Sequence, residues 1–416
     1  MRTVQLVEQC VINRKDPRFA VIDTAAFASK NLYNAALYEI RQAYFFGGRY
    51  LSYNEMDKRM QGHEAYRSLP AKVAQQVLKQ LDKNWRSFFG AYKEYEQDPS
   101  KFLGPPKIPK YKHKTEGRNI LVYTDQAVSK VGRKWGLIRP SMLPIEVKTK
   151  LKSIAQVRIV PQKGFYVVEV VYEHAVQQAE VNPSLYAGVD LGVNNLAAIT
   201  SNKPGFVPVI VNGRPAKSIN QYYNKRRADL QKKRGSTGKD TRRMERLTIG
   251  RHRRLDHFLH TASRQIIDLL VREGVGTLVV GKNDGWKQEV NTGKRNNQNF
   301  VCIPHSRFID MLTYKAKLVG IRVIVTEESY TSKASFLDLD DLPIYDPDLD
   351  REQQTEGKPR FSGKRVKRGL YLAAGGQSIN ADVNGAYNII RKVAPEAFAE
   401  GVEGAVVHPV RFDRKN

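Results

Sequence analysis

Hydrophobic and polar positions along the chain change their period several times, and each change predicts a different kind of element. Residues 3–13 alternate well enough for one strand. Apolar residues then recur at helical spacing, first in a helix capped by Asp23 or Thr24 and then in a helix over residues 73–88. We therefore expect residues 21–102 to form a small helical domain.

The next part of the chain changes to a strand pattern. Residues 103–114 read LGPPKIPKYKHK, and their prolines exclude a regular helix, so we expect an extended segment whose lysines face phosphates. Residues 155–173 form the clearest hairpin pattern. If the opening strand joins this hairpin, residues 1–20 and 103–182 form a β-barrel-like domain into which the helical domain is inserted.

After residue 182 the pattern becomes that of an α/β domain. Short apolar runs predict strands at 186–190, 195–200, 207–211, 277–280 and 321–325. Helical periods lie between and after them, at 215–273, 303–319 and 382–393. This order predicts a mixed sheet with helices over residues 183–394, interrupted by the poorly periodic stretch 329–378 and followed by a basic tail at 395–416.

Charge and composition narrow the class of protein. The 416 residues include 69 Lys and Arg against 42 Asp and Glu, a formal net charge of +27, and this excess indicates a nucleic-acid partner. The two cysteines exclude a disulfide scaffold and any four-cysteine zinc site. With no signal-length or membrane-length apolar run, we expect a cytoplasmic, nucleoid-associated protein without a membrane partner.

Acidic residues follow predicted strands or begin a predicted helix at separate places in the α/β region. Asp190 ends the first strand, Glu327 and Glu328 follow the last one, and Asp382 begins the final helix. Taken singly, each has an ordinary explanation, as a turn residue, a charged strand exit or an acid at a helix start. Together they predict a site for Mg²⁺, which prefers carboxylates, water and phosphate oxygens as ligands. Two such ions can stabilise the attacking and leaving oxygens of a phosphodiester.

Two motifs carry a resemblance to a known family. GVDLGVNNLAAIT at 188–200 resembles the first RuvC motif of TnpB, the transposon-encoded RNA-guided DNA nuclease related to type V CRISPR effectors, and ADVNGAYNI at 381–389 resembles the third. The resemblance implies an α/β and α+β multidomain protein. Its RNase H-like (RuvC) nuclease domain would be preceded by a β-barrel wedge domain carrying an inserted helical recognition domain. It also implies a guide RNA from the transposon end and a double-stranded DNA target with a short adjacent motif.

The second catalytic glutamate of the family is displaced in this chain. It commonly ends the fourth strand, where this sequence has TLVVGKNDGWK with Gly281 at that position and Asp284 as a weaker substitute. The fifth strand instead ends in Glu327-Glu328, before a SYTS run that resembles the family's turn. In an RNase H-like sheet the fifth strand lies beside the fourth and the fourth beside the first. We therefore expect the glutamate to reach past Gly281 toward Asp190, with Glu328 favoured over Glu327.

The zinc ribbon common in the family is missing from the sequence. Residues 333–378 contain neither cysteine nor histidine, so zinc cannot be held there. An acidic half runs from Asp338 to Asp350 and a basic half from Lys358 to Arg368. The basic half is expected to touch the strand being cut, and the acidic half is more simply a solvated loop.

The expected site combines these positions. Asp190, Glu328 and Asp382 would be the catalytic residues and Mg²⁺ ligands for two ions, for which Mn²⁺ can substitute, with Asn384, Asn388, Thr331 and Ser332 in support. Between Lys217 and Arg254 there are fourteen Lys or Arg against three acids, which favours phosphate contacts over a solvated surface. The nucleic-acid-binding residues would be Tyr222, Lys225, Arg226, Arg227, Lys232, Lys233, Arg234, Arg242, Arg243, Arg253 and Arg254, with Lys107, Lys110, Lys112, Lys364 and Arg365.

The interpretation is a magnesium-dependent, RNA-guided DNA endonuclease, with a monomer rather than a dimer on each RNA. One alternative is a guided repressor with an inactive nuclease site, which Gly281 suggests. A second is a guide-independent RNase H-like nuclease or transposase accessory, against which the large N-terminal half argues.

Overall fold

The computed structural model describes residues 3–235, 238, 240–283, 298, 301–344, 359–367, 369–402 and 404–412. The chain forms two compact units, residues 5–174 and residues 1–4 with 175–416. The division of the N-terminal half into a wedge domain and a helical domain stays a prediction, because its strands and helices belong to one compact unit.

The N-terminal unit combines one sheet with a helical group. Its elements are β1 (Thr3–Asn13), α1 (Arg18–Gly47), α2 (Tyr53–Met60), α3 (Glu64–Arg67), α4 (Ala71–Gln97), β2 (Leu121–Thr124), α5 (Lys130–Lys134), β3 (Leu137–Ile138), β4 (Val147–Lys148), β5 (Gln156–Gln162) and β6 (Phe165–Ala175). The larger sheet has the order β1–β6–β5–β2. The opening strand therefore does join the predicted hairpin, with helices α1–α4 between β1 and β2 along the chain, whereas closure into a barrel stays a prediction.

The predicted cap of the first helix was wrong. The helix begins at Arg18, after Pro17, and not at Asp23 or Thr24. The Asp23 carboxylate instead pairs with Arg118 at 2.6 Å and accepts a hydrogen bond from the Tyr166 hydroxyl at 2.7 Å. These partners are distant in sequence, so a local capping pattern could not reveal that the carboxylate is used in tertiary contacts.

The second unit is built on a six-stranded sheet. Its elements are β7 (Asn182–Leu191), β8 (Asn195–Ser201), β9 (Val209–Asn212), α6 (Arg214–Arg234), α7 (Arg242–Arg272), β10 (Val275–Gly281), α8 (His305–Leu318), β11 (Arg322–Thr326), β12 (Lys364–Lys367), β13 (Leu370–Leu372), β14 (Ser378–Asn380), α9 (Ala381–Val393) and β15 (Val410–Arg411). The order in the main sheet is β11–β10–β7–β8–β9–β15, and β12–β13–β14 form a small sheet of their own. The mixed α/β architecture predicted for this region is confirmed.

Three parallel strands end at the same edge of the main sheet. β10 pairs in parallel with β7, with Val280 beside Val189, and β11 pairs in parallel with β10, with Thr326 beside Gly281. The expected neighbours, fifth strand beside fourth and fourth beside first, are therefore observed. The carboxyl ends of parallel strands are where ligands bind in open α/β sheets.

Helix α9 packs closely on this part of the sheet. Alternation along β7 sends Ala187, Val189 and Leu191 into the core that also contains residues of α7 and α8, and sends Gly188 to the opposite face. A Cβ added at Gly188 would lie 2.1 Å from the carbonyl oxygen of Ala386 in α9. Only a strand position without a side chain allows the helix backbone to come this close.

No helix within the described residues is both long and apolar enough to cross a membrane.

Candidate active site

Asp190 occupies a half-buried position where β7 meets α9. It lies two residues after Gly188 and so faces the same helix. A Cβ added at Gly385, on α9, would lie 3.0 Å from the Asp190 Oδ2 atom. Glycine at 385 therefore leaves the space that the carboxylate occupies.

Glu328 reaches the same face from the end of β11. A Cβ added at Gly281 would lie 2.6 Å from the Glu328 Oε2 atom and 2.6 Å from Cδ1 of Ile389. Glu328 thus passes over the end of β10 at the position that lacks a side chain, which is the geometry expected from the sequence. The Glu328 amide donates to Oδ1 of Asn283 at 2.9 Å, and this bond holds the turn in place.

The adjacent Glu327 has a different environment. Its carboxylate is ion-paired with Lys392, whose side chain is only 4% exposed, and it also accepts a hydrogen bond from the Ser329 amide at 2.7 Å. Burial alone would raise the pKa of Glu327, but the hydrogen bonds from Lys392 and Ser329 outweigh it and hold the pKa below its ordinary value. Glu327 is therefore an ionised partner of a buried lysine.

Asp382 stands at the start of α9, as expected from the sequence. The Asn380 side chain caps the helix by accepting hydrogen bonds from the amides of Asp382 and Val383, at 3.0 and 3.2 Å. The Asp382 Oδ2 atom accepts a hydrogen bond from Nδ2 of Asn195 at 2.6 Å, and Oδ1 lies 3.8 Å from the Arg365 guanidinium.

The three acidic side chains interact through their charges. Burial raises the pKa of Asp190 well above its ordinary value, and the Glu328 and Asp382 carboxylates raise it further, whereas Arg365 lowers it. Burial and the nearby Glu327 charge raise the pKa of Glu328 to about 7. Like charges gathered in a partly desolvated place favour either protonation or a bound cation.

The donor set fits a hard divalent cation. Neither the Asp190 nor the Glu328 carboxylate accepts a hydrogen bond from, or pairs with, any residue that the structure describes. Oxygen ligands of this kind suit Mg²⁺, which binds through one or two carboxylates and keeps several waters. Within the described ranges, however, no three Asp, Glu, His or Cys side chains lie close enough to ligate one ion directly. Asp382, engaged by Asn195 and Arg365, would have to turn to join the other two.

The four supporting residues lie near the Glu328 turn, but they differ in what they contact. Thr331 donates to the carbonyl of Glu328 at 2.9 Å, whereas Ser332 is exposed and its side chain makes no hydrogen bond to a described residue. Asn384 and Asn388 are fully buried on α9 and donate to the carbonyl of Ala334, at 2.8 and 2.9 Å. The two asparagines therefore tie the loop after Glu328 to α9, and their burial leaves them no contact with a bound strand.

Sequence reasoning missed three residues that shape the site. Asn195 holds Asp382, Asn283 holds the Glu328 backbone, and Gly385 makes room for Asp190. Gly385 had a signal in the sequence, since glycine inside a helix needs a reason. Asn195 and Asn283 act over long sequence distances, which local patterns do not show. Asp284, the weaker substitute for the glutamate, lies outside the described residues.

The insertion at 329–378 is held together by serine and backbone groups. Asp340 accepts hydrogen bonds from the amide of Ser335 at 2.7 Å and from the hydroxyl of Ser362 at 2.5 Å. Asp338 accepts from the hydroxyl of Ser335 at 2.5 Å and from the amide of Ala374 at 2.9 Å. Asp338 and Asp340 are therefore bound within the insertion and are not merely solvated, while Asp346, Asp348, Asp350, Lys358 and Arg368 lie outside the described residues.

The residues predicted to bind nucleic acid fall into two groups. Most are exposed on α6, α7 and the segments at 107–110 and 364–365, namely Tyr222, Lys225, Arg226, Lys232, Lys233, Arg242, Arg243, Arg253, Arg254, Lys107, Lys110, Lys364 and Arg365. Arg227 and Arg234 instead interact with Asp240, and Arg234 also donates to the carbonyl of Gly238 at 2.6 Å. Lys112 is partly buried, with its ammonium 5.0 Å from the centre of the Tyr33 ring. These three cations are less exposed and engaged within the chain, whereas Arg226 and Arg365 remain exposed although they lie 3.7 and 3.8 Å from Asp229 and Asp382.

Comparison with known proteins shows which families the chain resembles. Residues 169–287 match the OrfB_IS605 family, described as a probable transposase, and residues 305–389 match the Cas12f1-like TNB domain. The TnpB-like protein ORF457 of Acidianus two-tailed virus is 24% identical over 404 residues, covering 88% of this chain and 81% of the viral protein. The chain is therefore similar to a TnpB-like protein and, in two separate parts, to a transposase family and a Cas12f1-like domain.

Solved structures resemble the chain at the level of fold. A Cas12f1–sgRNA–target DNA complex contains a chain that aligns with 89% of this chain and 81% of its own length, at a TM-score of 0.51 and 15% identity. The mini-RNA-guided endonuclease CRISPR-Cas_phi3 aligns with 98% of this chain and 94% of its own, but at a TM-score of 0.46 and 9% identity. The first of these matches supports a shared mixed α/β architecture.

The raised pKa of Glu328 predicts an unusual pH dependence of stability in metal-free protein. The folded chain keeps a proton that the unfolded chain releases, so stability should fall as pH rises from the ordinary glutamate value of 4.5 to about 7. At pH 8 in EDTA, Glu328→Gln should therefore have a higher thermal midpoint than the wild type, by the equivalent of about 3 kcal/mol at most. At pH 4.5 the two midpoints should nearly coincide.

Glu327→Gln is the matched control, and its effect should have the opposite sign. Removing that carboxylate leaves the buried Lys392 without its ionised partner, so the midpoint at pH 8 should fall. Equal midpoints for Glu328→Gln and the wild type at pH 8 would show that Glu328 is not a buried charge.

Proposed function

We propose that this chain is an RNA-guided DNA endonuclease of a transposable element. It would hydrolyse phosphodiester bonds in guide-matched, double-stranded DNA beside a short adjacent motif. The observation that carries the proposal is the meeting of the partly buried, unpartnered Asp190 and Glu328 carboxylates at the edge where three parallel strands end. If the two carboxylates served only to stabilise the fold, each would be expected to form an ion pair or accept a hydrogen bond, and neither does so with a described residue.

The proposed nuclease is of the RuvC type and occupies residues 183–394. Asp190 and Glu328 would hold the first Mg²⁺ or Mn²⁺, and Asp382 would turn from Asn195 to complete a two-ion site. When bound, such ions supply an activated water and neutralise charge on the phosphate. The chain's own part is to fix the carboxylates: Gly281 and Gly385 give them room, and Asn283 and Thr331 hold the turn that carries Glu328.

Basic surfaces would bind the nucleic acids. In the proposed complex, the exposed cations of α6 and α7 contact the phosphates of the guide–target duplex. Arg365, already beside Asp382, is placed to meet the phosphate of the strand being cut. The relatives support the two partners, since the matched Cas12f1 structure is a complex with sgRNA and target DNA. We propose a guide RNA from the transposon end, a monomer on each RNA, and residues 1–20 with 103–182 as a wedge domain around an inserted helical domain.

Guided cleavage of a plasmid library tests the function directly. The chain is purified with its native flanking RNA and given Mg²⁺ with guide-matched targets beside randomised sequence. We expect linear plasmid enriched for one adjacent motif from the wild type and from Glu327→Gln, and at least a hundredfold slower cutting by Asp190→Ala and Glu328→Gln. Retention of the same plasmids without cutting by the wild type would indicate the alternative, a guided repressor with an inactive nuclease site.

Moving the glutamate back to the fourth strand tests whether Gly281 and Glu328 form one coupled feature. Gly281→Glu alone adds a side chain where Glu328 lies and should abolish cleavage, and Glu328→Gly alone should do the same. The double variant Gly281→Glu/Glu328→Gly restores one glutamate at the same sheet edge and should recover measurable cleavage. If the double variant is no more active than either single variant, the two positions are not interchangeable supports for one carboxylate.

A further inference from the structure

A small unit at residues 125–152 of the N-terminal half presents a tryptophan to solvent. Ser129 caps α5 by accepting a hydrogen bond from the Gly132 amide at 3.1 Å, and Trp135 immediately follows the helix. Trp135 is 78% exposed, and Val131, four residues earlier on the same helix face, is 62% exposed. The buried residues of this segment, Val128, Ile138, Leu143, Ile145 and Val147, belong to the core of the N-terminal half, which does not include Trp135. Trp135 is therefore not needed for that core.

The strand pairing brings cations next to this tryptophan. The Thr149 amide donates to the carbonyl of Gly136 at 2.9 Å, and Leu137 pairs with Lys148. Lys148 and Lys150 are thus held beside the residues that flank Gly136, and Lys130 and Lys134 lie on α5 itself. All four lysines are exposed, and none forms a salt bridge with a residue in the described ranges.

The acidic residues of this unit are already used. Asp125 pairs with Arg133 at 2.5 Å and Glu146 pairs with Arg139 at 2.7 Å. No other Asp or Glu occurs between residues 125 and 152. Glu8 of β1 also lies against this segment, with its carboxylate accepting a hydrogen bond from the Thr149 hydroxyl. One further carboxylate against four lysines still leaves the surface positively charged around an aromatic ring that faces solvent.

We propose that Trp135 is a stacking platform for an unpaired base of a nucleic-acid strand whose phosphates lie against Lys130, Lys134, Lys148 and Lys150. An aromatic ring with adjacent cations is the combination that binds single strands, because every base has a face to stack and every nucleotide a phosphate to neutralise. Bases inside a duplex do not expose their faces, so the occupant is a single-stranded stretch, a flipped base or a strand end. The inference rests on the proposed function only in taking nucleic acid as the partner.

Trp135 can report on its own occupancy. The chain has three tryptophans, and the difference in fluorescence between the wild type and Trp135→Phe isolates the emission of this one. Full-length protein is titrated with three probes: a twelve-nucleotide oligo-dT, a twelve-nucleotide oligo-U and an abasic DNA strand of equal length and charge. We expect oligo-dT, oligo-U or both to quench the Trp135 emission, and the abasic strand to quench only at concentrations about 5- to 100-fold higher. Which strand quenches distinguishes DNA from RNA.

Two further variants separate stacking from charge. Lys148→Gln/Lys150→Gln should weaken quenching by every strand, whereas Leu103→Ala, at an apolar residue that is 92% exposed elsewhere, should change nothing. Equal quenching by the abasic strand, or no quenching by any strand, would overturn the proposal. Neither result would bear on the proposed nuclease activity, because guided cleavage by Asp190, Glu328 and Asp382 is measured in a separate experiment.

Discussion

The close approach of α9 to the ends of β7 and β10 is the contact on which the rest of the site depends. Gly188 lets the helix backbone meet the strand, Gly385 leaves room for the Asp190 carboxylate, and Gly281 leaves room for Glu328. A side chain at any of these positions would occupy space already filled by backbone, a carboxylate oxygen or Ile389. Three glycines thus decide where the acidic groups can meet.

The partial burial of these carboxylates determines their pKa values and their tendency to bind a cation. Glu327 is neutralised by Lys392, and Asp382 is held by Asn195 and Arg365. Asp190 and Glu328 have raised pKa values and form no ion pair with a described residue, although the more distant Arg365 partly offsets the shift at Asp190. Such an arrangement costs stability in the metal-free protein and favours a divalent ion. Buried asparagines on α9 hold the loop after Glu328 in place, and their hydrogen bonds stabilise the fold next to these destabilising carboxylates.

The sequence predicted those features that depend on periodicity or on a motif. The mixed sheet, Asp190 at a strand end, Asp382 at a helix start and the passage of Glu328 over Gly281 all follow from local spacing joined to the expected strand order. Pairings between distant residues could not be predicted in this way. Asp23 was misread as a cap because its partners are Arg118 and Tyr166, and the ion pair between Arg227 and Asp240 was likewise not foreseen.

A titration of the protein with Mn²⁺ in the absence of nucleic acid tests the central claim most directly. The electron paramagnetic resonance signal of the free ion measures how much Mn²⁺ remains unbound. The account predicts that Glu328→Gln weakens the tightest site by about tenfold or more and that Glu327→Gln, checked to be folded, leaves it unchanged. Wild-type affinity in Glu328→Gln, or loss of the site in folded Glu327→Gln, would contradict the assignment of Glu328 beside Asp190.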